Sequence, residues 1–324
     1  MQEIHIDERH ANQRLDKFLK KYFKNANSGF IYKMLRKKNI TLNDKKDTGN
    51  TIITAGDVIK TYFSDDTFNS MRGLDDSKRL YEYYKSLNRQ IDVIYEDDDI
   101  IAVNKPAGIL SQKSKDSDIS INELIIAYLI NERSYSLDEF RIFKPSVSNR
   151  LDFNTTGVLL AAKTLKGQQS LSKALKDRTI DKYYICIVTG VVDEAFVLEG
   201  SLTKEHDTNK AIVSDDNTND DYIKTELTPI AHSDKTSLLR IHLVTGKTHQ
   251  IRAHMAHIGH PIIGDVKYGL EDVNTAYKAK YGVKSQMLHS YETFYRDIKI
   301  IAPIPSIINR IIEEEYGNME LQRS

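Results

Sequence analysis

The sequence predicts an α+β protein: a mixed, mostly antiparallel sheet, helices packed around that sheet, and a small α/β module ahead of it. Two β-rich runs flank the polar tip E-D-D-D at 96–99, which is the pattern of a hairpin. Residues 238–244 alternate apolar and polar side chains as a strand does, whereas residues 166–176 have apolar side chains at helical spacing. With 324 residues, the chain is long enough for two domains.

Residues 1–63 are predicted to form the small module. Apolar side chains at helical spacing in 14–23 predict one helix, and Ser28 is the predicted cap of a second. Short strands are expected at 40–42 and 58–63. The lysines and arginines of the second helix are explained either as a solvated helix face or as a surface that contacts phosphates.

The patterns R-L-D-x-F-L, I-x-x-x-L-R-K-x-x-I-x-L-N and A-G-D-V-I follow one another through this module. Together they resemble an S4 RNA-binding module over nearly the whole segment. The resemblance implies that the module binds RNA. The candidates for contacts with the RNA backbone are Arg14, Lys33, Arg36, Lys37 and Lys38.

Charge is distributed unevenly, although the formal net charge of the chain is zero. Residues 1–62 contain 13 lysines and arginines against 7 aspartates and glutamates, whereas residues 64–100 contain 5 against 10. A basic module is therefore followed by an acidic connector. We predict that residues 64–90 are a linker with one short helix around 79–87, which lets the two modules reorient.

The second domain is predicted to span residues 91–324. Its expected strands and helices are a hairpin at 93–103, helices at 121–130, 166–176 and 248–258, strands at 157–162, 182–188, 238–244 and 287–300, and a terminal helix. Thr248 is the predicted cap of the third of these helices, which ends at Gly259. The polar segment 200–221 is predicted to be a long mobile connection.

The stretch N-R-L-D-F-N-T-T-G at 149–157 precedes an apolar run and has the composition of a turn. A carboxylate on such a turn, beside a sheet, can point into a cleft without being buried and unpaired. From these residues alone, a turn-stabilising role for Asp152 is the simpler interpretation.

Five separate segments change that interpretation. They are N-K-P-A-G at 104–108, R-L-D-x-x-T-T-G at 150–157, K-x-Y at 182–184, G-K-T-H-Q-I-R-x-H at 246–254 and G-H-P-I-I-G-D-x-x-Y-G at 259–269. In this order they resemble the pseudouridine synthases of the RluA/RluC type, which modify ribosomal and transfer RNA, and the similarity runs from about residue 93 to 295. The resemblance implies a catalytic domain with a central cleft, and the S4-like module most resembles enzymes that act on large-subunit ribosomal RNA.

The resemblance also implies the roles of individual residues. Asp152 is the implied nucleophile, Arg252 its ion-pair partner, and Tyr184 the ring that stacks on the extruded uridine and helps to remove the C5 proton. Asp152 adds to C1′, adds to C6 or removes the 2′ proton, and the sequence does not choose among these routes. Arg150 fills the space that the base vacates, and Lys105 lies near the site as a further RNA contact. The isomerisation requires neither cofactor nor metal.

The turn departs from the family pattern in two places. Asn149 stands where the family has histidine, and Phe153 and Asn154 replace a charged pair. We interpret both as changes in RNA contact or local packing.

Two other functional classes compete with this interpretation. A non-catalytic RNA-binding factor for ribosome assembly would share the fold, but it has no need of Asp152, Tyr184 and Arg252. A metal-dependent hydrolase would use His254, His257 and His260, which have a spacing possible for metal ligands. No H-E-x-x-H pattern accompanies these histidines.

The remaining features concern the cellular setting. The single Cys186 lies in an apolar run, which excludes an internal disulfide framework and fits a reducing compartment. The amino terminus lacks the pattern of a signal peptide, and no apolar run has membrane-spanning length. We therefore expect a cytoplasmic monomer whose partner is RNA, with no membrane association.

Overall fold

The fold is described from a computed structural model. It describes residues 1–204, 210–214 and 221–317. The strands are β1 (Gln2–His5), β2 (Gln13–Arg14), β3 (Ile40–Leu42), β4 (Ile52–Ile53), β5 (Val58–Thr61), β6 (Val93–Glu96), β7 (Ile100–Lys105), β8 (Ser146–Val147), β9 (Thr156–Ala162), β10 (Ile180–Thr189), β11 (Phe196–Lys204), β12 (Ala211–Ser214), β13 (Tyr222–His232), β14 (Thr236–Leu243), β15 (Leu288–Tyr295) and β16 (Ile298–Ile301). The helices are α1 (Leu15–Tyr22), α2 (Ser28–Arg36), α3 (Asp65–Arg72), α4 (Leu74–Ser86), α5 (Ile121–Glu132), α6 (Leu137–Ile142), α7 (Leu165–Lys176), α8 (Gln250–His257), α9 (Glu271–Tyr281) and α10 (Ser306–Tyr316).

Eleven of the described strands form one mixed sheet. Its order is β12-β11-β13-β14-β10-β15-β9-β7-β6, with β16 beside β15 and β8 beside β9. The pairs in this sheet are antiparallel except for β15 with β9, which is parallel. The predicted mixed, mostly antiparallel sheet with helices around it is therefore confirmed.

The parallel pair at the centre of the sheet explains the glycine of the turn at 149–157. Gly157 lies opposite Ser290 on β15, with φ of 110°. A Cβ at this position would lie 2.0 Å from the backbone oxygen of Ser290, so only glycine permits this approach. The turn that precedes β9 is thereby held against β15, which pairs along its opposite edge with β10.

Apolar side chains cover both faces of the large sheet. On one face, α5 and α8 pack on the strands through residues such as Ile125, Leu129 and Met255. On the other, Leu171 of α7 packs against β9. Helix α5 begins with a capping box in which Ser120 and Glu123 bond each other's backbone, one residue before the start of the predicted helix at 121–130.

The amino-terminal module consists of a three-stranded sheet, in the order β1-β5-β3, with α1 and α2 packed on it. Leu15, Phe18 and Leu19 are fully buried, as the helical spacing predicts. The cap of α2 is Asn27 instead of Ser28, because the Asn27 side chain accepts a hydrogen bond from the backbone N–H of Phe30.

The segment 64–90, predicted as a linker with one short helix, contains two helices. Phe68 of α3 packs into the core of the amino-terminal module. Tyr84 of α4 is buried against Ile126 and Phe140 of the larger unit. Each helix is thus stabilised by a different core, which the sequence period alone does not reveal. The division of the chain at 63 and 90 stays a prediction.

Two further expectations need correction. Within the segment 200–221, predicted as a long connection, strand β11 extends to Lys204 and pairs with β12 and β13. Residues 205–209 and 215–220 of that segment lie outside the described residues. At the start of α8, the cap position is occupied by His249 in the left-handed region, with φ of 59°, instead of by Thr248.

Of the helices in the described ranges, none combines the length and the apolar composition that crossing a lipid bilayer requires.

Candidate active site

A cleft of about 850 Å³ opens beside the central strands, which is within the range of ligand-binding sites. Its walls come from four places: the loop after β7, the turn before β9, the inward face of β10, and the connection from β14 into α8. Asp152, Tyr184 and Arg252 all line it. The fold therefore brings together the three side chains that the sequence predicted to meet.

The turn that carries Asp152 is held by the loop after β7. The backbone N–H of Leu151 donates to Ser111 Oγ, which donates in turn to the Leu151 carbonyl at 2.8 Å. The Phe153 carbonyl accepts from the backbone N–H of Gly108 at 3.0 Å. Between these two fixed residues, the Asp152 carboxylate is 22% exposed and faces the cleft.

Arg252 joins this carboxylate to a buried acid. Its Nη1 donates to Asp152 Oδ2 at 2.9 Å, while Nε and Nη2 donate to the two oxygens of Asp265 at 2.6 and 2.9 Å. Burial favours the neutral forms of Arg252 and Asp265, but their hydrogen bonds raise the pKa of the guanidinium and lower that of the Asp265 carboxyl. Asp265 is fully buried, so it fixes the guanidinium plane and leaves one edge for Asp152.

The start of α8 sets the position of Arg252. Buried Gln250 donates from Nε2 to the Lys224 carbonyl and to Thr225 Oγ1 on β13, both at 3.0 Å. Its Oε1 accepts from Thr245 Oγ1 at 2.9 Å. These bonds join the first turn of the helix to the sheet, and Arg252 follows two residues later.

Tyr184 lies on β10, separated from the Asp152 turn by the width of β15. It is buried, and burial raises the pKa of its hydroxyl to about 12, while a hydrogen bond with Ser290 acts in the opposite direction. The hydroxyl is therefore protonated at neutral pH. A neutral ring at the cleft wall is suited to stacking on a base.

His249, which the sequence interpretation did not assign, also lines the cleft, and Tyr268 lies behind it. The Tyr268 hydroxyl accepts from the backbone N–H of Ala211 at 2.7 Å and lies 3.1 Å from His249 Nδ1. The other ring nitrogen, Nε2, is 3.9 Å from Asp152 Oδ2. Burial lowers the pKa of His249. His249, Tyr268 and Asp265 all belong to the sequence patterns at 246–254 and 259–269. Those patterns were the signal from which the sequence could have identified them.

The structure corrects the predicted role of Lys105. This side chain is fully buried, and its Nζ donates to the carbonyls of Pro106 and Phe153 at 2.9 and 3.0 Å. An ammonium used in this way is not presented to RNA. Lys105 instead joins the loop after β7 to the turn that carries Asp152.

We expect Lys105→Met to reduce turnover on the order of 10²-fold, because the Asp152 turn loses the hydrogen bond from Lys105 Nζ to the Phe153 carbonyl. Burial lowers the pKa of Lys105 from 10.5 to about 8, although Asp152 opposes this. Between pH 8 and 10.5, Lys105 is protonated in the unfolded chain and largely neutral in the folded protein. The free energy of unfolding therefore rises with pH in this range. The unfolding free energy of the wild type should therefore rise by up to about 3 kcal/mol from pH 8 to 10.5 relative to the variant. Denaturant titrations at both pH values measure this difference, and equal pH profiles would contradict it.

The residues near Asp152 that depart from the family pattern have distinct environments. Asn149 Oδ1 accepts the backbone N–H of Leu160 at 2.8 Å, so this side chain serves local packing. Phe153 is 49% exposed and lines the cleft. Arg150, which keeps the family pattern, is also exposed at the cleft.

The cationic residues predicted to contact RNA in the amino-terminal module fall into two groups. Lys33, Arg36, Lys37 and Lys38 are all exposed on or just after α2. Arg14 is different, because its guanidinium donates to Asp16 at 3.0 Å and to Asn50 at 2.6 Å. Part of its donor capacity is therefore used inside the module.

The alternative metal site is not formed. The ring of His254 bonds Thr225 Oγ1 at 2.8 Å, whereas His260 bonds the Thr189 carbonyl at 2.9 Å. Burial lowers the pKa of His254 to about 4. In the part of the chain that the structure describes, no three His, Cys, Asp or Glu side chains are grouped to hold a metal ion.

The sheet, the cleft and the acid–guanidinium pair define a class of RNA-modifying isomerase. Residues 99–257 match the family model described as RNA pseudouridylate synthase. A relative from Buchnera aphidicola subsp. Schizaphis graminum, named ribosomal large subunit pseudouridine synthase C, is 30% identical over 312 residues, covering 93% of each chain. The chain therefore belongs to the RNA pseudouridylate synthase family, and it is an isomerase that acts on uridines in RNA.

Other relatives agree with this assignment. A Vibrio cholerae protein with the same name is 29% identical, covering 90% of this chain and 87% of its own. Among solved structures, human RNA pseudouridylate synthase domain containing 4 has a TM-score of 0.56 at 18% identity, covering 73% of this chain and 96% of its own. At 18% identity, the similarity to the human structure concerns the fold alone.

Proposed function

We propose that this enzyme converts specific uridines of large-subunit ribosomal RNA to pseudouridine, with Asp152 as the nucleophile. The observation that carries the assignment of Asp152 is its hydrogen bond to Arg252 at the cleft, which holds the carboxylate where an extruded uridine would lie. Relatives named for the ribosomal large subunit support the choice of RNA. Transfer RNA is the second candidate substrate.

The proposed division of labour follows the chemistry of the rearrangement. The bond from C1′ to N1 breaks, the base turns, C5 bonds to C1′, the C5 proton is lost, and N1 takes up a proton, so the composition does not change. Asp152 acts directly on the uridine, Arg252 holds its carboxylate, and Tyr184 stacks on the base. Arg150 occupies the space left in the RNA by the extruded base, whose unstacking costs a few kcal/mol. His249, whose Nε2 lies 3.9 Å from Asp152 Oδ2, is a polar neighbour of the carboxylate on the cleft wall.

The amino-terminal residues 1–63 act as an S4-type RNA-binding module in this proposal. The exposed cations of α2 provide contacts with backbone phosphates, and the catalytic unit selects the uridine. The enzyme works as a cytoplasmic monomer. Its proposed catalytic unit spans 91–324, joined to the module through 64–90.

Mapping pseudouridines in ribosomal and transfer RNA from cells that lack this protein tests the substrate. We expect one or a few positions of large-subunit ribosomal RNA to lose the modification and to regain it when the wild-type gene is restored. Restoration with Asp152→Asn should not return it. If only transfer RNA loses pseudouridines, transfer RNA is the substrate instead of ribosomal RNA. An unchanged pseudouridine map would favour the non-catalytic binding role.

Replacing Lys37 and Lys38 with alanine tests the S4 assignment. We expect weaker RNA binding and a salt dependence whose logarithmic slope falls by about one for each phosphate contact that is lost. Turnover at saturating RNA should not change, because these residues are outside the cleft. The same double substitution at Lys278 and Lys284, which are exposed outside the cleft, is the matched control. Equal slopes for both double variants would contradict the role of α2.

A further inference from the structure

A second cationic group lies in the cleft beside the candidate catalytic residues. Lys182 is two residues before Tyr184 on β10, so the alternation of a strand directs both side chains to the same face. Arg178 lies in the connection from α7 to β10 and lines the same cleft. Neither residue has a role in the site described so far.

Lys182 is half-buried, yet its ammonium has no hydrogen-bond or ion-pair partner among the described residues. Lys105, the fully buried lysine behind the Asp152 turn, differs because two carbonyls accept from it. Burial lowers the pKa of Lys182, and the neighbouring charge of Arg178 lowers it further. A cation kept partly out of water without a partner destabilises the free protein, so such a position indicates a partner that arrives with the ligand.

The surroundings of Lys182 restrict what this partner can be. The neighbouring acid, Asp181, favours the charged form of Lys182. However, the Asp181 carboxylate bonds His242 at 3.0 Å, and its side chain lies on the opposite face of β10 from Lys182. The side chain of Arg178 is exposed and likewise has no bonded anion in the described ranges. Two adjacent cations that face one cleft, with no anion between them, match a phosphate group.

We propose that Lys182 and Arg178 bind a backbone phosphate of the RNA next to the extruded uridine. This inference rests on the proposed function, because it requires RNA in the cleft. Residues 182 and 184 are about 7 Å apart along the strand. A base stacked on Tyr184 therefore places a neighbouring phosphodiester near Lys182. Lys182 supplies a point charge, and Arg178 adds hydrogen-bond donors at the solvent-exposed side of the cleft.

The test is Lys182→Met, a variant that keeps the length of the side chain and removes the charge. The melting temperature without RNA should stay equal or rise, because an unpaired cation is lost. The KM for RNA should rise about tenfold, and the slope of log affinity against log salt should fall by about 0.7–0.9, the value for one phosphate contact. Turnover at saturating RNA should stay within a few-fold of the wild type. Adding Arg178→Met should lower the slope by a similar amount again.

The matched control is Lys284→Met, which removes an exposed cation outside the cleft and should change neither KM nor slope. An unchanged KM and slope in Lys182→Met would overturn the phosphate site, as would a collapse of turnover at saturating RNA with an unchanged slope. Failure of the proposed function is recognised separately, because the wild type itself would then form no pseudouridine in large-subunit ribosomal RNA.

Discussion

Asp152→Asn should reduce pseudouridine formation on the order of 10⁴-fold or more, the range found when a nucleophile or its essential partner is removed. The amide keeps an oxygen that can accept from Arg252, so the turn and the ion-pair geometry are preserved while the reactive anion is lost. RNA affinity should not fall, because the variant removes a negative charge from a site that binds a polyanion. Single-turnover assays with a large-subunit ribosomal RNA fragment, together with filter binding, measure the two effects.

The matched control is Asp297→Asn, at an exposed turn between β15 and β16. It removes the same charge outside the cleft and should retain full activity. Full activity in Asp152→Asn itself would end the assignment of this residue as nucleophile.

Arg252→Met should have the second-largest effect, because this guanidinium bonds both the buried Asp265, which affects stability, and Asp152, which affects activity. The substitution leaves Asp265 fully buried without its cation, and breaking a buried ion pair in this way costs about 3–5 kcal/mol. Activity should fall at least 10²-fold, since Asp152 loses its charged donor. Denaturant unfolding and turnover measured on the same preparations report both losses.

A double variant separates the two roles of Arg252. Combining Arg252→Met with Asp265→Asn removes the orphaned charge, while the amide oxygen can still accept the backbone N–H groups of Lys267 and Tyr268. We expect the double variant to recover most of the stability and none of the activity. Recovery of activity along with stability would reduce Arg252 to a structural residue.

The Asp265–Arg252 pair also predicts how stability depends on pH. The pKa of Asp265 is lower in the folded protein than its ordinary value of 3.8. The pair therefore contributes fully to the free energy of unfolding above pH 3.8. This contribution is lost as the pH falls through the lower pKa that Asp265 has in the folded protein. In the double variant this acid-induced loss should be smaller than in the wild type.

Local signals predicted most of the elements well. The spacing of Leu15, Phe18 and Leu19 predicted α1. This prediction succeeds because the helical period depends on residues within a few positions of each other. The predicted cap residues of α2 and α8 were wrong by one position. The larger errors arose where distant contacts decide. Polar strand β11 forms because β12 and β13 pair with its edges, and helices α3 and α4 form against two separate cores.

The sequence by itself determined which residues to consider at the site, because Asp152, Tyr184 and Arg252 lie in recognisable patterns. Only the tertiary structure decided how they are held. The parallel pairing at Gly157 sets the Asp152 turn beside β15, and buried Asp265 aims Arg252 at that turn. It also decided that Lys105 is a buried support while Lys182 is a cation without a bonded anion among the described residues. The physical reason is that desolvation and partner geometry depend on segments far apart in the chain, which no local pattern encodes.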